Sequence, residues 1–167
     1  MVDVFSTLAL LALTVAAVGW DLATRRIPNV LTASGLLVAL ALRAVQGPGP
    51  LAAGVFAALV AFALAVPLVL AGGLGGGDAK LLAAIGAFVG PAALPTVILV
   101  TAVAGGILAV VVATRRGAMG DTLTHARSLV TPSGGGGTAR RTLSTPGALA
   151  VPYAVAIGAG ALAGWWA

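Results

Sequence analysis

The sequence predicts an all-α, polytopic membrane protein of about six transmembrane helices with its N-terminus outside. Three observations carry that prediction. Of 167 residues, 60% are hydrophobic and only 8% are charged, whereas a soluble domain carries roughly a quarter charged residues. The mean hydropathy is +1.12, so disorder and an ordinary soluble core are both excluded. Apolar runs recur at 4–20, 30–42, 51–70, 81–94, 95–113 and 148–166, and little is left over for an extramembrane domain. Residues 1–167 therefore read as a single transmembrane domain.

Each run has its own justification. The first, third, fifth and sixth are 17 to 20 residues long, close to the length that crosses a hydrocarbon core of about 30 Å at 1.5 Å per residue. The first resembles a signal peptide in position only. It has no basic n-region, carries Asp3, and is followed by Arg25 and Arg26, which favours an uncleaved anchor with an outside N-terminus. Pro28 and Asn29 start the second run, with Pro near the first helical turn. The second and fourth runs are short, so their helices either continue past the membrane surface or sit inside the bundle. Between the second and third runs, Gly47-Pro48-Gly49-Pro50 reads as a tight outside turn. The long loop at about 114–147 holds Thr131-Pro132-Ser133 followed by Gly134, Gly135, Gly136 and Gly137, the composition of a flexible tether. Trp20, Trp165 and Trp166 stand at run ends, as interfacial belt residues do.

Charge placement supports this order. Six spans put Arg25, Arg26, Lys80, Arg115, Arg116, Arg127, Arg140 and Arg141 inside and only Arg43 outside, a clear positive-inside bias. Deleting the fourth span would send the arginines of the last loop outside. The sequence pI near 11.5 therefore reports topology and anionic lipid at the cytoplasmic face, with no nucleic-acid partner implied.

Counting removes several chemistries. There are no cysteines and one histidine, His125, and the four acids are all aspartates: Asp3, Asp21, Asp78 and Asp121. A thiol nucleophile, a thiolate metal site and an HExxH zinc protease lack their parts, and a single histidine disfavours a Ser-His-Asp triad. No metal and no cofactor is expected. Asp121 and His125 read as solvated loop residues, and Asp3 as a terminal one.

Asp21 ends the first span and Asp78 opens the fourth, 57 positions apart in the chain yet on one predicted membrane face. Singly, Asp78 could cap a helix N-terminus and Asp21 could pair with Arg25 at i, i+4. Together they point to function, because ionisable groups at membrane depth are costly. Two carboxylates within hydrogen-bond reach share one proton, so one serves as acid and its partner as base. Such a pair can activate water against a peptide carbonyl and protonate the leaving amine. The preceding Gly72-Gly73-Leu74-Gly75-Gly76-Gly77 permits close approach of a partner chain, and irregular backbone at that depth belongs where it lines a cavity. Lys80 reads as a snorkelling cation that could also tune Asp78.

Three stretches together resemble the type IV prepilin peptidases, the GxGD class of intramembrane aspartic proteases. They are Asp21-Leu22-Ala23-Thr24-Arg25-Arg26-Ile27-Pro28-Asn29, Gly75-Gly76-Gly77-Asp78-Ala79-Lys80-Leu81-Leu82, and Pro152-Tyr153-Ala154-Val155-Ala156-Ile157-Gly158 in the last span. The resemblance implies that Asp21 and Asp78 are the catalytic pair. It implies that Gly75, Gly77, Lys80, Pro28 and Asn29 shape the site or bind substrate. The implied substrates are type IV pilin-like precursors, whose short basic leader is cut at the cytoplasmic face of the plasma membrane. The chain lacks the cysteines and the N-terminal domain of fuller members, so it is similar to the minimal subgroup associated with tight-adherence (Flp-type) pilus systems or with archaeal-type preflagellin processing, and methyl transfer is not expected.

Two rival readings rest on the same residues. A small transporter subunit could use the aspartates as an ion or proton relay, but that predicts ionisable groups nearer the mid-membrane and repeat symmetry between halves. A magnesium-dependent lipid phosphotransferase usually needs three or more carboxylates around its metal.

Overall fold

Apolar stretches joined by short turns can satisfy their backbone hydrogen bonds internally as helices, and in the computed structural model every element among the described residues is a helix. Residues 2–115 and 153–166 are described. Their elements are α1 (Val2–Thr24), α2 (Asn29–Gln46), α3 (Pro48–Leu70), α4 (Gly76–Val89), α5 (Leu94–Arg115) and α6 (Tyr153–Trp165). The glycine-rich part of the expected loop, with Asp121, His125 and the arginines from Arg116 onward, lies outside the described residues. Its first two positions, Thr114 and Arg115, instead continue α5.

Among the described residues, four helices are long and apolar enough to cross a membrane: Val4–Thr24, Asn29–Gln46, Pro48–Leu70 and Leu94–Val112. The second run is thus a full-length helix, since its helical register extends through Arg43 to Gln46 beyond the apolar residues. Two further expectations are corrected. Pro48, Gly49 and Pro50 form the first turn of α3 rather than a turn of their own, because proline's fixed φ suits a first helical turn; only Gly47, at φ +124°, separates α2 from α3. The fourth run is split, with α4 ending at Val89 and Gly90 adopting φ +81°.

The α4 helix is the centre of the bundle. Nine of its fourteen residues are buried, and it packs on α1, α2, α3 and α6. Short and apolar all round, it is a core helix rather than a lipid-facing one. Small residues let its neighbours approach: a β-carbon at Gly86 would stand 2.9 Å from the Ala57 carbonyl oxygen, the close backbone contact typical of helices packed in lipid. The α5 helix packs chiefly on α6 and turns Leu99, Val103, Ile107 and Val110 outward, as a lipid-facing surface would.

The helices run alternately up and down, so the molecule has two polar ends. One gathers the end of α1, the starts of α2 and α4, and the start of α6. The other gathers the ends of α2, α4 and α6. At this second end the Arg43 side chain leaves α2 and caps α4, its Nε donating to the Ala87 carbonyl and its Nη2 to the Phe88 carbonyl at 2.8 Å. A cation at the negative end of a helix is favourable in both hydrogen bonding and dipole.

Candidate active site

The α3 helix stops in a Schellman motif. Gly72, at φ +77°, donates to the Val69 carbonyl at 3.0 Å, and Gly73 to the Leu68 carbonyl at 2.9 Å. The chain then turns through Leu74, which is buried, to Gly75 in extended conformation at the N-cap of α4. Asp78 sits three residues on, and its Oδ2 accepts from the Gly75 N–H at 3.2 Å in a capping-box arrangement. The capping role considered for Asp78 is therefore real, but it uses one oxygen only. Its Oδ1 is buried and has no hydrogen-bond partner among the described residues. A buried orphan acceptor is costly and calls for a reason.

Asp21 occupies the last turn of α1 and is 7% exposed. Its Oδ2 accepts from the Ala154 N–H at 3.3 Å, at the first turn of α6. A helix N-terminus offers unsatisfied N–H groups and a positive dipole end to a carboxylate. The two carboxylates act on each other electrostatically, and both line one cavity of about 370 Å³.

The remaining wall of that cavity comes from Gly75, Gly76 and Gly77 on one side and Arg25, Arg26 and Ile27 on the other. Gly77 and Ile27 are in tight contact, for a β-carbon on Gly77 would lie 3.2 Å from Ile27 Cβ and 3.3 Å from the Ile27 carbonyl oxygen. Of the other residues marked out by sequence, Lys80 and Asn29 are brought together: Lys80 Nζ donates to Asn29 Oδ1 at 2.8 Å, across α4 and α2 and beside the cavity rather than in its wall. Pro28 is the N-cap of α2, at φ −61° and ψ 136°, next to the first helical turn as expected of it.

Sequence reasoning did not assign Arg25, Arg26 or Ile27 to the site. Arg25 has φ +56°, at the place where a helix usually ends in glycine. A non-glycine residue in that region is strained and commonly marks a functional segment. Nothing in an arginine's identity announces that conformation, so no local signal could have shown it. Among the described residues no group of three or more His, Cys, Asp or Glu could hold a metal ion.

One family of known proteins matches the chain. Residues 8–110 match the type IV leader peptidase family, a stretch that includes both aspartates and the glycines before Asp78. No curated protein and no solved structure matches the chain.

Proposed function

The chain belongs to the type IV leader peptidase family, and from that premise we propose that it is an aspartic endopeptidase whose catalytic groups are Asp21 and Asp78. Its substrates on this reading are type IV pilin-like precursors, cut at the cytoplasmic face of the plasma membrane to release a short basic leader. The observation that carries the proposal is that two aspartates distant in sequence line one cavity, each with one oxygen held by a backbone N–H.

The chemistry follows from the pair. The deprotonated carboxylate takes a proton from a water whose oxygen attacks the scissile carbonyl carbon. The protonated partner donates to the carbonyl oxygen as that oxygen gains charge. When the tetrahedral intermediate collapses, the C–N bond breaks as the first carboxyl passes the water's proton to the leaving amine, and a hydroxyl of the intermediate returns its proton to the partner carboxylate as the new carboxyl group forms, which restores the shared proton. The fixed oxygens orient the carboxylates before substrate arrives, which is where much of the rate gain of such sites originates. Ile27 pressed on Gly77 shapes the cavity wall, and Lys80 bonded to Asn29 ties α4 to α2 beside it.

The test is co-expression with a pilin-like precursor encoded in the same genome, read as the shift from precursor to mature size. Asp21→Asn and Asp78→Asn keep volume but remove the acid–base function, so each should lower cleavage by at least about 100-fold while the protein still inserts. Cleavage by either variant at the rate of the unaltered protein would show that its aspartate is a cap or an ion partner and would sink the mechanism.

A further inference from the structure

We infer that the cavity at the end of the bundle opposite the two aspartates binds the phosphate of a membrane lipid, with the Arg43 guanidinium as the cation that receives it. The inference is independent of the peptidase reading. The cavity has a volume of about 300 Å³, and Ser6, Arg43, Gln46 and Trp165 supply its polar wall. It opens where α2, α4 and α6 end, the level at which an up-and-down bundle leaves the hydrocarbon.

Arg43 is held there before any ligand arrives. Its Nε and Nη2 donate to the last carbonyls of α4, and its Nη1 reaches the Pro50 carbonyl at 3.4 Å. Two glycines make the slot: a β-carbon on Gly54 would overlap the Arg43 side chain, and one on Gly90 would stand 2.7 Å from Nη2. A guanidinium carries five N–H donors, so these bonds leave one further donor on each terminal nitrogen of a group already fixed in space. Preorganisation of this kind lowers the ordering cost of binding.

The carbonyls hydrogen-bond the cation but do not cancel its charge. Asp21 and Asp78, the two acids whose side chains are described, line the other cavity. A half-buried cation in an apolar bundle favours an anion, and the planar fork of arginine suits phosphate oxygens. Position selects the source of that phosphate. Trp165 borders the cavity and Trp166 beside it is exposed; indoles of this kind sit at headgroup level, where a lipid phosphodiester is always at hand.

Native mass spectrometry of the purified full-length protein tests this, with phosphatidylglycerol, diacylglycerol and inorganic phosphate as probes. One phosphatidylglycerol should be retained, diacylglycerol should not, and millimolar inorganic phosphate should fail to displace the bound lipid. Arg43→Gln should weaken retention about tenfold, as loss of a charge-assisted contact does. Because that change also uncaps α4, Ala93→Phe is the second variant: it fills the cavity from a half-exposed turn without touching the Arg43 bonds, and should abolish retention in a protein with unchanged helicity. Asp78→Asn should retain the lipid, since the aspartates lie at the other end. Equal retention of diacylglycerol, displacement by inorganic phosphate, or full retention by Ala93→Phe would each overturn the assignment.

Discussion

A β-carbon on Gly75 would stand 2.7 Å from Asp78 Oδ2, one on Gly77 would meet Ile27 at 3.2 Å, and one on Gly76 would meet nothing within 4 Å. Three adjacent glycines thus make three different demands. Gly75→Ala must push the carboxylate aside, and displacement of a reacting group by about 1 Å can cost roughly 100-fold in rate. Gly77→Ala asks the Ile27 turn to yield by a few tenths of an ångström, so a smaller fall of roughly tenfold is expected. Gly76→Ala should cleave at the unaltered rate, and alanine there even favours the helix slightly. A precursor-processing time course over the three variants checks the order, and equal loss at all three would mean that the glycines serve chain flexibility instead of close packing. The glycine-aspartate pattern is legible in one dimension, because neighbours in the chain carry it. The extended Gly75 and the strained Arg25 are not, because each depends on how the α1–α2 and α3–α4 links meet around the cavity.

At the scale of elements the same division holds. Hydropathy locates α1, α3 and α5 to within a few residues, since an apolar helix in lipid is recognisable from composition alone. It understates α2, whose final turn carries Arg43, and it merges the end of α4 with the start of α5, because Phe88, Val89 and Leu94 are equally apolar on both sides of a turn made by Gly90. Arg43 shows why. Sequence marks it only as a lone positive charge outside, while in the fold it ties α2 to α4 through contacts more than forty residues away in the chain. Arg43→Met should therefore lower stability by about 2–3 kcal/mol, the cost of leaving two carbonyls without donors. Its thermal unfolding midpoint in detergent should drop accordingly. Gly54→Ala should reproduce part of that loss by crowding the Arg43 stem, and a midpoint unchanged in both variants would mean that water caps α4 equally well.

For the whole molecule, the question is which membrane face carries each polar end. The alternation of helices puts Asp21, Lys80 and Asn29 at one end and Arg43 and Gln46 at the other, and the distribution of Lys and Arg expects the aspartate end in the cytoplasm. A protein with no cysteines allows that to be read directly, because any introduced thiol is the sole reactive one. Gln46→Cys is exposed at the Arg43 end and Thr24→Cys at the aspartate end. A membrane-impermeant maleimide added to intact cells should label Gln46→Cys, and should reach Thr24→Cys only after the membrane is opened. The reverse pattern would turn the bundle over. The dyad would then face away from the compartment in which precursors are made, and cleavage would have to follow export of the leader instead of preceding it. The orientation therefore decides the order of the events in which the dyad could take part.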